Sequence, residues 1–300
     1  MANWITLKQL SEKRGIAESD LRTWANLGYI TSSRIENVLM IDDESLTQYL
    51  DVHQTKDLGE NYLEKIIKEK ELENVAALKV AMKRLAKKYG CGAIAIQCWN
   101  QLQKELGVMP CAANALLNDE GIPVVCETDI HGAITALMVE AAGMGETRSF
   151  FADWTIRHPD VENGELLQHC GPWPISIAKE KAKLTYPLAF DYPGSITAEA
   201  KHGEVSLVRF DGDNGEYSLL LGNAKGIDGP KGMGTYLWVE VQNIKRLEAK
   251  IVEGPYIHHC VGIHKNVVPV LYEACKYIGI TPDFYDPIEE DVKAYLRGEN

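Results

Sequence analysis

The segment Gly121-Ile122-Pro123-Val124-Val125-Cys126-Glu127-Thr128-Asp129-Ile130-His131-Gly132-Ala133 constrains this chain more than any other. A short apolar run ends on two acids, and Gly132-Ala133-Ile134-Thr135-Ala136-Leu137-Met138 then reads as a helix. Strand, acidic turn and helix in that order belong to an α/β layer, where ligands gather beyond the C-terminal ends of strands. Glu127 and Asp129 stand two residues apart. If the strand runs through them they share one side; if it stops, Asp129 caps the helix instead. Taken alone, the segment also fits a helix cap beside a surface acid.

The flanking sequence supports the layer. Glu73 to Tyr89 has helical period, with Val75, Leu78, Met82, Leu85 and Tyr89 on one side. Lys83, Arg84, Lys87 and Lys88 suit its C-terminal end, so they call for no ligand. Ala93 to Ile96 and Ile122 to Cys126 read as strands, separated by a helix from Leu102 or Met109 to Asn118. Beyond about residue 175 the pattern changes to short apolar strands: Val205–Val208, Tyr217–Leu221 and Thr235–Val239, set among glycine turns. Lys225 to Gly232 is glycine-rich but lacks the Gly-Lys-Ser/Thr of a phosphate loop, and reads as a surface turn. The expected divisions are a small winged helical domain (1–55), a helical connector (56–90), an α/β core (91–175) and a β-rich C-terminal domain with terminal helices (176–300).

Composition narrows the function classes. No apolar run reaches the length of a membrane span, and the first residues lack a secretory signal. Seven cysteines without a short repeating spacing read as reduced thiols in a cytoplasmic protein. A formal charge of -12 argues against broad binding to nucleic acid.

The first fifty residues have their own pattern. Thr6 can cap a helix carrying Leu7 and Leu10, Gly15 turns the chain, and Leu21, Trp24 and Ala25 share a second helix ending near Gly28. Ile35 to Ile41 reads as a wing, and Asp42-Asp43-Glu44 opens another helix through Leu50. With Thr6-Leu7-Lys8-Gln9-Leu10 at its start and Leu21-Arg22-Thr23-Trp24 followed by Gly28-Tyr29-Ile30, the stretch from about residue 4 to 50 resembles the winged helix-turn-helix of the MerR or excisionase type. The second helix of that family would enter a major groove and bring Arg22 to DNA. Residues 1–52 hold five Lys or Arg against eight acids, which favours a structural or protein-contact role over DNA binding.

Elsewhere, Asp153 follows an apolar stretch, and His169-Cys170 and His258-His259 place imidazoles in apolar surroundings. In a strand, adjacent histidines face opposite ways, so one is expected as a ligand and its neighbour as a substrate contact or filler. Carboxylates with imidazole suit a hard ion, Mn2+ or Mg2+. The cysteines lack a compact Cys-x2-Cys pair for zinc.

These stretches, with Ala95-Ile96-Gln97-Cys98-Trp99, Gly107 to Cys111, Leu117 to Pro123, Phe150 to Asp153, His169 to Gly171 and Glu253 to His259, together resemble the L-fucose and L-arabinose isomerase superfamily, chiefly its fucose isomerase-like C-terminal half. The resemblance implies a metal-dependent aldose–ketose isomerase working through an ene-diol on a small sugar or polyol, as a homo-oligomer. It implies Asp129 and His259 as metal ligands, with Glu127 a third ligand or support. Glu127 and Asp129 are then the catalytic carboxylates, and His258, Gln97, Trp99, Asp153 and His169 the substrate contacts. Two departures count against turnover. Gln97, Asn100 and Gln101 stand where some relatives carry an acid, leaving Glu105 nearest, and two Rossmann-like domains are replaced by the small head. A sugar-sensing DNA-binding regulator and an inactive interaction module are therefore the alternative readings.

Overall fold

Apolar alternation in the second half of the chain produces a barrel. The computed structural model describes residues 3–26, 30–35, 38–50, 63–65, 69–187 and 192–299. Strand Glu204–Asp213 pairs antiparallel with Glu216–Ile227 on one side and His259–Ile263 on the other. The ladder continues through Ser149–Arg157, Gly164–His169 and Thr235–Glu240. Lys225–Ile227 then pairs with Trp238–Glu240, which closes a ring of six antiparallel strands. Thr281–Asp286 adds in parallel to Glu216–Ile227, while Ser195–Glu199, Ala182–Thr185 and Leu63–Lys65 extend the sheet from Thr235–Glu240.

The period of two sorts side chains into separate cores. Phe150, Ala152, Leu207, Leu220, Leu237 and Cys260 pack together with Tyr285. Phe151, Val208, Leu221, Val261 and Ile263 belong to another core, under helices Ile130–Gly143 and Val268–Ile278. A one-residue slip would exchange these faces, and each buried side chain represents about 1.5–3 kcal/mol. The register that sets Asp153 directly opposite His259 is therefore firmly held. Both lie on the side of Phe151 and Val261.

The α/β layer is small. Ile94–Ala95 and Val124–Val125 pair in parallel among helices Glu69–Tyr89, Gln101–Leu106, Cys111–Asp119 and Ile130–Gly143. The segment between the strands thus holds two helices rather than one, since Gly107 ends the first in the left-handed region at φ 70°. The Glu69–Tyr89 helix buries Val75 and Met82 but leaves Leu85 and Tyr89 exposed, because the apolar side outlasts the partner it packs on. Its Lys79 is buried in an ion pair with Glu120, which Lys83 joins at 2.9 Å.

Three further expectations change. Leu63–Lys65, expected as helix, is a strand held by a partner more than a hundred residues away, which local periodicity does not register. Leu58, Tyr62, Ile66 and Ile67 of the expected connector lie outside the described residues. Lys225–Ile227, expected in a surface turn, is the strand segment that closes the barrel. Two strands from within 91–175, Ser149–Arg157 and Gly164–His169, belong to the same barrel as those beyond 176.

The chain divides into two compact units, 1–59 and 60–300. In the smaller, Trp4–Thr6, Val38–Asp42 and Ser32–Ile35 form an antiparallel sheet, with helices Leu7–Arg14, Glu18–Asn26 and residues 43–50. Thr6 and Gln9 make a reciprocal capping box, and Leu10, Leu21, Ile41 and Leu46 fill the core. Asp43 binds both Lys13 and Arg14, which commits two of the unit's basic side chains internally. Arg22 is exposed, and Trp24 lies against Tyr49 with ring centroids 4.8 Å apart. Gly28 and Tyr29 lie outside the described residues. Among the described residues no helix is long and apolar enough to cross a membrane.

Candidate metal centre

The strand Val124–Val125 stops before the acids. Glu127 and Thr128 both take left-handed conformations, φ 61° and 58°, each costing about 1–2 kcal/mol for a residue with a Cβ. Hydrogen bonds from Thr128 N–H to Ile96 O (3.1 Å) and from Asp129 N–H to Cys126 O (3.2 Å) hold this turn. It turns Glu127 toward a cavity and delivers Asp129 to the helix as its N-cap, where Oδ1 accepts from Gly132 N–H at 2.8 Å. A Cβ on Gly132 would lie 2.7 Å from Asp129 Oδ2 and 2.8 Å from the Phe151 ring, so only glycine admits this approach.

Asp129 is saturated. Beyond Gly132, both oxygens accept from the buried Arg209 guanidinium, and Oδ2 also meets His259 Nδ1 at 2.9 Å. Arg209 is steadied by Asp211 at 3.0 Å, and Asp211 by His131 at 2.9 Å. With Nδ1 donating to Asp129, the other nitrogen of His259 offers a lone pair once its proton has left. That nitrogen, Nε2, is buried without a hydrogen-bond partner, 3.5 Å from Glu127 Oε2 and 3.5 Å from Asp153 Oδ1. Asp153 Oδ1 is itself buried and unpartnered, as is His169 Nε2 at 3.9 Å from it. His258 precedes the strand, so its ring does not face away as strand alternation would require. It lies 4.4 Å from the His259 ring, with Nε2 4.0 Å from Asp153 Oδ1. Asp153, His258 and His259 offer donor atoms within 4.8 Å of one another. Neighbouring ligands of an octahedral ion stand about 3 Å apart, given metal–oxygen bonds of about 2.1 Å, so closure around an ion needs only small shifts.

The electrostatics agree with the geometry. Burial lifts the Asp153 carboxyl above its ordinary range, tempered by His169, His259 and His258. The His259 imidazole 3.5 Å away, with the Trp99 indole N–H, holds Glu127 low. Burial opposes a charge on His259, but Asp129, Glu127 and Asp153 outweigh it and raise the imidazole to about 9. The field that binds this proton also attracts a cation, and a cation must displace the proton from Nε2. Mn2+ affinity should therefore rise about tenfold per pH unit up to about 9 and then level, as isothermal titration would read. Stability in chelator should run the opposite way. A raised imidazole pKa stabilises fully below about 6.5 and ceases to do so as pH rises through about 9.

The cavity has a volume of about 180 Å³ and is lined by Glu127, Asp153 and His169 together with Trp99, Cys98 and Cys170. Trp99 donates its indole N–H to Glu127 Oε1 at 3.1 Å. Gln97 is exposed and does not line the cavity. Glu105 is also exposed and accepts from Gln101 at 2.5 Å. Sequence reasoning missed Arg209; its signal was a lone cation inside the apolar run Val205-Ser206-Leu207-Val208-Arg209-Phe210.

No protein-family model matches the chain. It is nevertheless a distant relative of sugar isomerases, and it carries a set of side chains placed to coordinate a metal. The relatives are sulfoquinovose isomerases. That of Alkalicoccus urumqiensis is 26% identical over 207 residues, covering 67% of this chain and 46% of the relative. That of Priestia aryabhattai is 27% identical over 202 residues, covering 64% and 44%. The protein of Clostridium sp. (strain MSTE9) is 32% identical over 116 residues, covering 36% and 25%. The chain thus spans less than half the length of these curated relatives.

Proposed function

We propose that the larger unit carries a metal-dependent aldose–ketose isomerase site, in which Glu127, Asp153 and His259 hold the ion and Asp129 orients His259. The observation that carries this reading is the convergence of three buried, unpartnered polar atoms, Asp153 Oδ1, His169 Nε2 and His259 Nε2, beside the Glu127 carboxylate. Asp129 takes an orienting role because the hydrogen bonds it already accepts leave no oxygen lone pair aimed at the cavity. Two carboxylates and an imidazole suit Mn2+ or Mg2+, and the imidazole favours Mn2+. When bound, such an ion supplies Lewis-acid polarisation of the C1 and C2 oxygens of an open-chain sugar.

The residues around it have separable tasks. Glu127 is the carboxylate placed to move a proton between C1 and C2. It lines the cavity, is partly solvated, and its carboxyl is held low, in its basic form, with Trp99 N–H among the causes. Trp99 fixes the Glu127 side chain through Oε1. His258, largely exposed beside Asp153, is placed to meet a sugar hydroxyl. The relatives are named for sulfoquinovose, a sugar bearing a sulfonate. Among the described residues lining this cavity there is no Lys or Arg to receive that anion. Neutral aldoses and ketoses should therefore be turned over ahead of sulfoquinovose.

The test is metal content after purification without added ions, followed by a panel of aldoses and ketoses with Mn2+ and with chelator. The expected result is a bound divalent ion and an interconversion that chelator abolishes and Mn2+ restores. An ion bound tightly at this site with no turnover of any sugar would leave a metabolite receptor in place of an enzyme.

A further inference from the structure

A second cluster of ligating atoms lies next to the carboxylate site and has a different chemical character. Cys170, just after strand Gly164–His169, brings its Sγ to 3.4 Å from Cys111 Sγ, at the first residue of helix Cys111–Asp119. The same sulfur lies 3.2 Å from His169 Nδ1. Cys126, immediately before the left-handed turn, completes a set in which the donor atoms of Cys126, His169 and Cys170 are all within 4.8 Å of one another. Asn114 points its amide at Cys126 Sγ from 3.7 Å. Cys111 and Cys126 are fully buried, and all of these thiols are free.

A core cysteine acting as a small hydrophobe needs no sulfur neighbour. Here two thiols from separate stretches of chain meet one imidazole, a third thiol, Cys111, reaches Cys170, and soft thiolate with nitrogen is the donor set that selects a thiophilic ion. We propose that Cys111, Cys126, His169 and Cys170 form a second metal site, which takes a thiophilic d10 cation of the Zn2+ kind. With zinc–sulfur bonds of about 2.3 Å, two sulfurs of a tetrahedron stand about 3.8 Å apart. The 3.4 Å pair and the 4.8 Å limit bracket that separation. His169 Nδ1 accepts the Cys170 backbone N–H at 2.9 Å, and coordination exchanges that bond for the metal. Its other nitrogen still faces Asp153, so one imidazole joins the two sites. An ion here ties the start of helix Cys111–Asp119 and the Cys126 turn to the barrel, one residue from Glu127.

Cobalt distinguishes this site from its neighbour, because tetrahedral thiolate coordination gives intense charge-transfer and visible bands, whereas octahedral oxygen coordination absorbs weakly. Protein prepared with chelator and reductant, then titrated with Co2+, should develop the thiolate bands at one equivalent. They should persist in Asp153→Asn and vanish in Cys126→Ala and in Cys170→Ala, with Zn2+ affinity down by more than about 100-fold, beyond the usual effect of an outer-shell change. If those cysteine variants fail to fold, cobalt-edge X-ray absorption of the wild-type protein decides the matter, since a sulfur shell is required. Only oxygen and nitrogen neighbours, or thiolate bands that survive in folded Cys126→Ala and Cys170→Ala, would overturn the site. These outcomes do not depend on whether any sugar is isomerised.

Discussion

Replacing Asp153 with asparagine should lower Mn2+ affinity by more than about 100-fold and reduce Mn2+-dependent turnover to background, while the fold is kept. The amide preserves size and one oxygen but removes one of the two carboxylate charges facing His259 Nε2. No compensating rearrangement is available, because Asp153 is fixed opposite His259 by a register that the two cores enforce. The direction of the stability change is an independent check. Burial raises the folded-state pKa of Asp153, so its ionisation opposes folding at neutral pH, and the amide should leave the protein at least as stable in chelator. Asp129→Asn supplies the contrast. An amide oxygen can still accept His259 Nδ1–H, so metal affinity should fall by about 10–100-fold, the span of an orienting partner. Isothermal titration ranks the two, and a larger loss in Asp129→Asn would make Asp129 the ligand.

That contrast also marks where the sequence ceases to be informative. Asp129 and Asp153 both follow apolar strands, and nothing local separates a carboxylate that caps a helix from one that faces a cavity. What separates them is the Gly132 amide and the Arg209 guanidinium, the latter from a strand 80 residues away. The histidine pair carried a similar ambiguity. Strand alternation would send His258 and His259 apart, but the strand begins only at His259, so both rings reach Asp153. Periodicity served well where burial is local. It located the strands around Val205, Tyr217 and Thr235 and the helix through Val75 and Met82. It failed where a distant partner decides, as in the strand pairing of Leu63–Lys65 and the closure made by Lys225–Ile227. Turn composition misled at Gly226 because glycine there serves close packing: an added Cβ would lie 2.9 Å from the backbone of His202.

Arg209 carries the largest expected effect on stability. Its side chain is 3% exposed and joins a chain of partners that runs from His131 through Asp211 and Asp129 to His259. Arg209→Met fills similar volume but leaves Asp129 buried without its main counter-charge, and removing one partner of such a pair costs about 3–5 kcal/mol. For a unit of this size that lowers the melting temperature by roughly 10 °C or more. Linkage sets the pH signature. Desolvation alone would raise the Asp129 carboxyl, but His259 and Arg209 hold it well below the ordinary aspartate range. The stability gained is therefore complete above about pH 4 and disappears as pH falls through the lowered folded-state value. The variant should accordingly reach its acid-unfolding midpoint at higher pH than the wild type. Combining Arg209→Met with Asp129→Asn removes the orphaned charge and should recover at least half of the loss, as thermal and urea unfolding would measure. A single-variant loss below about 1 kcal/mol would put the ion pair among solvated surface pairs. His259 would then be positioned by its strand alone, without the buried network that fixes which nitrogen faces Glu127 and Asp153.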